Sequence, residues 1–387
     1  MTIHVDEEYL VSTLSRLVQI NSTNPSLSPE GAGEAEIAAY VVGALHEMGL
    51  EVTAWEVAPG RWNVVGRLAG SGYGRSLLLN AHLDTVGVTG MAEPFSGVVR
   101  DGRLYGRGSQ DMKGSLAAML AAAQALVARG VPLDGDLLVT AVADEEHSSI
   151  GADDLVAKGF QATAAIVTEP TDLAVCLAHR GFIWYDVETF GRAAHGSRYR
   201  EGIDANMHMG RFLAEQGKLE AELRARPSHP LVDVPSLHAS TLHGGTELSV
   251  YAAHCRLQME RRTVPGETVA SATAELQAIV DRLSAADPSF RATITPTFSR
   301  PPLTVDEDAA IVQVVNRAAA NRLGRQPAIV GQPFWTDAAI FAAAGMETML
   351  IGPTGHGLHS AEEWVDVASV VDLAAILADT AVSYLTR

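Results

Sequence analysis

Histidine and carboxylate residues gather in a few short clusters along this sequence, each after an apolar, strand-like run. His82 and Asp84 stand two apart in Asn80-Ala81-His82-Leu83-Asp84-Thr85-Val86. On extended backbone, residues at that spacing share a side. A histidine that ligates a metal needs its other ring nitrogen held by an acceptor, and a nearby carboxylate can serve. Asp111 lies in Gly106-Arg107-Gly108-Ser109-Gln110-Asp111-Met112-Lys113-Gly114, at the opening of an Ala- and Leu-rich helical pattern. It could be a plain N-cap; the flanking glycines also permit the close backbone approach that a ligand loop requires. Asp144-Glu145-Glu146-His147 closes another apolar run. Adjacent carboxylates repel unless solvent or a cation compensates them. They can also divide labour, one binding metal while its neighbour handles protons. Thr168-Glu169-Pro170 adds a further carboxylate, and Gly352-Pro353-Thr354-Gly355-His356-Gly357-Leu358-His359-Ser360 offers two histidines. Together the clusters supply two histidines and three carboxylates, which suits two borderline cations such as zinc, with Glu145 left over as a base.

The elements that must position these groups alternate. Helical spacing runs over 7–18 and 34–48, strands over 51–57, 63–68 and 75–80, a helix over 111–129, and strands over 136–143 and 164–167. Such alternation predicts an α/β domain with a mixed, mainly parallel sheet and flanking helices, whose ligands sit beyond the carboxyl ends of the strands. From Gly181 the pattern becomes strand 182–190, helix 204–224, strands 240–251 and 254–262, helix 267–283 and strand 290–298. That is the β-α-β-β-α-β order of a ferredoxin-like α+β domain. Alternation returns after Pro301-Pro302, with helices over 306–323, 337–344 and 368–384 and a strand over 348–351. The expected organisation is a catalytic domain of residues 1–179 and 300–387 interrupted by an inserted domain, 180–299.

The motifs His82-Leu83-Asp84-Thr85-Val86, Gly106-Arg107-Gly108 through Asp111-Met112-Lys113-Gly114, Glu145-Glu146, Glu169-Pro170, Ala194-His195-Gly196 and His359-Ser360 resemble those of a known family. It is the dinuclear zinc amidohydrolases and metallopeptidases that include acetylornithine deacetylase, succinyl-diaminopimelate desuccinylase, aminoacylases and glutamate carboxypeptidase. The resemblance covers nearly the whole chain and implies a zinc exopeptidase-like fold. It implies that Asp111 bridges two metals, with His82 and Glu169 completing one site and Glu146 and His359 the other. Zinc is the expected metal, with cobalt or manganese as alternatives. Asp84 would orient His82, and Glu145 would act as general base and then acid. His356 fits the family spacing less well and is expected to be a loop residue.

The resemblance also makes the inserted domain a lid and homodimerisation module. His195 would stabilise an oxyanion in a partner subunit, and Arg262 would hold the substrate carboxylate. Arg261 competes with Arg262, but neighbours on a strand face opposite sides. One departure concerns specificity. Gly244-Gly245-Thr246-Glu247-Leu248 is followed by Ser249, where deacetylase-like members often carry Asn. A shorter hydroxyl changes any contact made there with substrate. Phe334 and Trp335 are bulky for their stretch, and would either line a pocket for a large apolar group or join the core. The expected reaction is cleavage of the amide bond of an N-acyl amino acid; the alternative is a dipeptidase or carboxypeptidase on the same scaffold.

Composition narrows the classes. Lys plus Arg number 28 against 46 for Asp plus Glu, a net charge of −18, which disfavours nucleic acid and anionic membranes as partners. The two cysteines exclude a disulfide scaffold. The start of the sequence has no basic region leading into an apolar run, so the expected address is cytoplasmic. No Gly-x-Gly-x-x-Gly motif opens a helix after the first strand, and no Gly-Lys-Ser/Thr loop occurs.

Overall fold

The computed structural model describes residues 3–386. The chain separates into two compact units. One runs to Leu177 and resumes with Val305–Val330 and from Thr336 onward; the other comprises Ala178–Thr304 and Gly331–Trp335.

The first unit is built on a mixed sheet. Its strands lie in the order Glu51–Ala58, Arg61–Leu68, Leu137–Val142, Leu77–His82, Ala164–Val167, Glu347–Leu350 and Val175–His179. The four from Leu137–Val142 to Glu347–Leu350 run parallel, and their neighbours on either side pair antiparallel. Leu77–His82 and Leu137–Val142 are buried at every position, as strands covered on both faces must be. The helix Gly114–Arg129 is buried almost all round, consistent with its run of Ala and Leu. It packs against Val367–Leu385, which in turn packs against Ala310–Leu323. Val367–Leu385 is long and apolar enough to cross a membrane, but two-thirds of its most apolar window is buried within the protein. Asp379 in it accepts a hydrogen bond from the Ile3 amide. It is a core helix.

A small second sheet had no clear signature in the sequence. Gly355–His356, Trp364–Asp366, Arg103–Tyr105 and Val98–Arg100 pair in that order, all antiparallel. His356, expected in a loop, sits in the first of these short strands and stacks on Trp364.

The other unit is a four-stranded antiparallel sheet in the order Ser236–Gly244, His254–Thr263, Gly181–Phe190, Arg291–Arg300. Two helices, Ala205–Arg224 and Val269–Ala286, pack with it. Alternating residues Ile183, Tyr185 and Val187 point into a core with Leu257, Met259, Phe212 and Leu276. The strand expected over 240–251 is shifted: it spans Ser236–Gly244 and ends before Gly245, whose φ of 78° breaks the extended run.

Candidate active site and metal centre

The clusters converge at the carboxyl ends of the parallel strands. His82 is the last residue of Leu77–His82, Asp144 to Glu146 follow Leu137–Val142, and Glu169 follows Ala164–Val167. His359 lies in the loop that leads from Gly355–His356 to Trp364–Asp366, with a left-handed backbone, φ 58°. Asp111 does not cap the following helix. That helix begins at Gly114, and Asp111 sits in the turn before it with extended backbone, φ −120° and ψ 91°.

The two oxygens of Asp111 face different histidines. His82 Nε2 is 3.1 Å from Oδ1, and His359 Nε2 is 3.3 Å from Oδ2. His359 Nε2 is also 3.0 Å from Glu146 Oε2, and His82 Nε2 is 3.8 Å from Glu169 Oε1. Two overlapping sets of donor atoms, His82 with Asp111 and Glu146, and His82 with Glu145 and Glu169, are each within 4.8 Å of one another. Such a set fits divalent metal: carboxylate oxygens and imidazole nitrogens, with Asp111 presenting one oxygen to each side. Glu146 Oε1 is buried without a hydrogen-bond partner among the described residues, as a ligand oxygen would be.

The electrostatics point the same way. Burial, then the Asp111 charge, pushes the Glu146 carboxyl up to about 7. Burial also raises Glu145, reinforced by Glu169, and raises Glu169, reinforced by Asp111. Asp337, not singled out in the sequence, adds its charge at both. Asp111 is the exception: burial opposes its ionisation, but hydrogen bonds from His359 and His82 hold it below the usual range. The same carboxylates hold protons on the histidines. Hydrogen bonds to Asp111 and Glu146 lift His359 to about 10. For His82, burial is outweighed by the Asp111 hydrogen bond and neighbouring charges. Four carboxylates share two imidazoles here, so the cluster lacks positive charge, and a cation would supply it.

Asp84 acts differently from the simple spacing argument. Its main-chain oxygen, not its carboxylate, is the near partner of His82 Nδ1, at 2.9 Å against 3.6 Å. The carboxylate instead accepts from the Glu145 amide at 3.1 Å, the Glu146 amide at 3.2 Å and Asn24 Nδ2 at 2.7 Å. It thus fixes the backbone that carries Glu145 and Glu146. Asp144 faces away from that pair, with φ 68°, and meets Arg61 at 2.9 Å. Arg61 is buried and also bonded to Glu34 through Nε and Nη2, at 2.7 and 2.6 Å. His147 is exposed and bonded to Ser148. Asn24, Glu34 and Arg61 carried no signal in the sequence, because their partners are distant along it.

In the other unit, Arg261 and Arg262 take opposite faces. Arg261 is buried on Glu267 and Glu275, at 2.5 and 3.1 Å. Arg262 is one-third exposed, holds Glu260 at 2.7 Å and lies over the Phe182 ring. Phe182 belongs to an aromatic cluster with Trp184, Phe298 and Trp335. Phe334 has no ring partner in that cluster. His195 is exposed, and its Nδ1 accepts from the Ser197 amide at 3.2 Å. An amide can only donate, so the imidazole proton of the neutral ring lies on Nε2. The Ser249 carbonyl accepts from Gly196 N at 2.7 Å, which ties Ser249 to the His195 loop.

A mixed α/β sheet whose strand ends gather paired histidines and carboxylates about a shared aspartate defines a metallohydrolase. Residues 78–383 match the model of peptidase family M20/M25/M40, and the chain belongs to that family. It is a metal-dependent hydrolase. It is 28% identical to a Bacillus subtilis N-formyl-4-amino-5-aminomethyl-2-methylpyrimidine deformylase, over 98% of this chain and 96% of that protein. It is 30% identical to a Salmonella arizonae acetylornithine deacetylase, over 90% and 89%. Among solved structures, a Bacillus subtilis dinuclear metal-binding peptidase of family M20 superposes with TM-score 0.76 at 17% identity, covering 98% of each chain. A Staphylococcus aureus tripeptidase superposes with TM-score 0.80 at 20% identity, over 98% and 99%.

Proposed function

We propose that the protein hydrolyses the amide bond of a small N-acylated amino compound, an N-acyl amino acid above all, at two divalent metal ions. The observation that carries this is the arrangement of Asp111 between two imidazoles, with Glu145 and Glu146 adjacent at the end of one strand. His82, Asp111 and Glu169 would hold one ion, and Asp111, Glu146 and His359 the other. When bound, the ions polarise the scissile carbonyl and acidify water. Zinc fits the donor set best, with cobalt or manganese as substitutes.

The chain's own groups do the rest. Glu145 takes a proton from the attacking water and returns it to the leaving nitrogen. Its environment raises its affinity for a proton, which suits the first of those tasks. Asp84 holds the amides of Glu145 and Glu146, and so the direction of the base. His195 donates from Nε2 to the developing oxyanion, supplied from a second copy of the chain in a homodimer. Arg262 binds the substrate carboxylate, for which its planar fork is suited. Ser249, in place of a longer amide side chain, shapes the acyl end. A cytoplasmic setting accords with a chain of two cysteines, Cys176 and Cys255, both buried.

The test is release of primary amine from N-formyl, N-acetyl, N-succinyl and long-acyl amino compounds beside dipeptides, each with and without a chelator. Chelator-sensitive release from the acylated panel is expected. Release from dipeptides alone would replace this reading with the peptidase one.

A further inference from the structure

The loop that carries Asp111 and the loop that carries His359 are stitched together by one buried ion pair. Arg107 Nη1 meets Glu363 Oε2 at 2.6 Å, with both side chains almost wholly shielded from solvent. Arg107 does more than neutralise its partner. Nη2 donates to the Ser360 carbonyl at 2.8 Å, next to His359, and Nε donates to the Gly87 carbonyl at 3.1 Å. Glu363 in turn gathers the backbone of the Asp111 loop. Its Oε2 accepts from Gly108 N at 3.0 Å, and its Oε1 from Gln110 N at 2.9 Å and from Asp111 N at 3.1 Å. The Glu363 carbonyl also takes the Gly106 amide, at 3.1 Å.

We infer that Arg107 and Glu363 are positioning residues for the second metal site, the one formed by Asp111, Glu146 and His359. The inference rests on the two-metal reading above. Two ligands of that site, Asp111 and His359, ride on the loops that the pair joins. The other site shares Asp111, but its His82 and Glu169 come from the ends of buried parallel strands and touch neither residue, so the difference between the sites rests on His359. His359 depends on its loop more than His82 does. It is half exposed, and its backbone is left-handed, a conformation that persists in a non-glycine residue only where its surroundings impose it. Losing the pair therefore weakens the second site selectively, before the first.

The experiment is a titration of metal-free protein with zinc against a chromophoric chelator, which reads stoichiometry and affinity without any substrate. Wild type, Arg107→Met, Arg107→Lys and Glu363→Gln are compared, with circular dichroism to confirm the fold. Lysine keeps the charge but cannot span Glu363, Ser360 and Gly87 together. Glutamine keeps an acceptor for the loop amides but loses the ion pair. Each variant is expected to bind the first zinc like wild type and the second at least about 10-fold more weakly, the scale on which groups behind metal ligands act. If Arg107→Met does not fold, the two conservative variants decide. Unchanged binding of both ions in the folded variants, or equal weakening of both sites, would overturn the inference. Failure of the wild-type protein to bind a pair of ions would instead overturn the two-metal reading itself.

Discussion

The Asn24 side-chain amide donates to Asp84 Oδ2 at 2.7 Å and, from the same nitrogen, to Asp144 Oδ1 at 3.0 Å. It is the neutral spacer between two buried carboxylates, one turned toward the amides of Glu145 and Glu146 and the other toward Arg61. Removing it leaves both carboxylates without a donor they cannot replace from solvent, at a cost of about 1–3 kcal/mol. Asn24→Ala is expected to lower the unfolding free energy by that amount and kcat by about 10-fold or more, through the loosened amides of Glu145 and Glu146. Asn24→Asp keeps the shape but adds a third carboxylate, and should be the worse variant. Urea unfolding and steady-state kinetics on the two variants check the ranking; an Asn24→Asp protein as stable as wild type would contradict it.

Arg61 bridges Glu34 and Asp144. Breaking a buried pair from one side costs about 3–5 kcal/mol, because the remaining charge stays buried. Arg61→Met is expected to cost that much near pH 8. Burial already pushes Glu34 up to about 7 even with Arg61 bonded to it. A carboxyl whose folded value lies above its unfolded one binds its proton more tightly in the folded state. Its favourable contribution is complete below about 4.5 and is lost as pH rises through about 7. Without Arg61 that behaviour sharpens, so the Arg61→Met penalty should shrink as pH falls from 8 to 5, and adding Glu34→Gln should recover part of it. Unfolding curves at both pH values test this; a penalty that grows toward pH 5 would contradict it.

The residues that converge were legible in the sequence, and their support was not. His82, Asp111, Glu145, Glu146, Glu169 and His359 stand in short motifs that follow apolar strands, and strand ends are where an open α/β sheet places its ligands. The inserted β-α-β-β-α-β unit was legible for a similar reason, since its periodicity is local. What escaped were the pairs that hold those motifs still. Arg61 and Asp144 are 83 residues apart, and Arg107 and Glu363 are 256 apart. No local pattern links them, and a charged residue in a short polar run reads as solvent-facing until the fold buries it. The Asp111 turn illustrates the point. Its position beside a helical pattern suggested a cap, whereas the structure starts the helix three residues later and gives the turn's amides to Glu363.

Glu145 tests the chemistry directly. It neighbours Glu146, is half-buried, and is raised by burial and by Glu169, so its environment favours a base that can keep the proton it takes. Glu145→Gln preserves size and the hydrogen bond from its main-chain N–H to Asp84 but removes the site of protonation. At least about a 100-fold loss of kcat is expected, with zinc content unchanged by metal analysis. Full activity in that variant would take Glu145 out of the mechanism. Loss of metal together with activity would make it a ligand instead, as its position beside His82 and Glu169 also allows.

Lys113 gives a prediction independent of the reaction. Its side chain is buried, and Nζ donates to the Ile20 carbonyl at 2.8 Å. Burial drives the ammonium down to about 7, against the opposing charges of Glu363 and Glu36. Here the unfolded chain holds the proton more tightly than the folded one. Between about 7 and 10.5 the unfolded state binds more protons, so this group adds stability as pH rises, by up to about 1.4 kcal/mol per pH unit. Lys113→Met removes the titration and keeps the apolar stem. The difference in unfolding free energy between wild type and Lys113→Met should therefore move in favour of wild type from pH 7 to pH 9, with metal loading held constant. A difference that is flat over that interval would mean the folded lysine keeps its ordinary proton affinity.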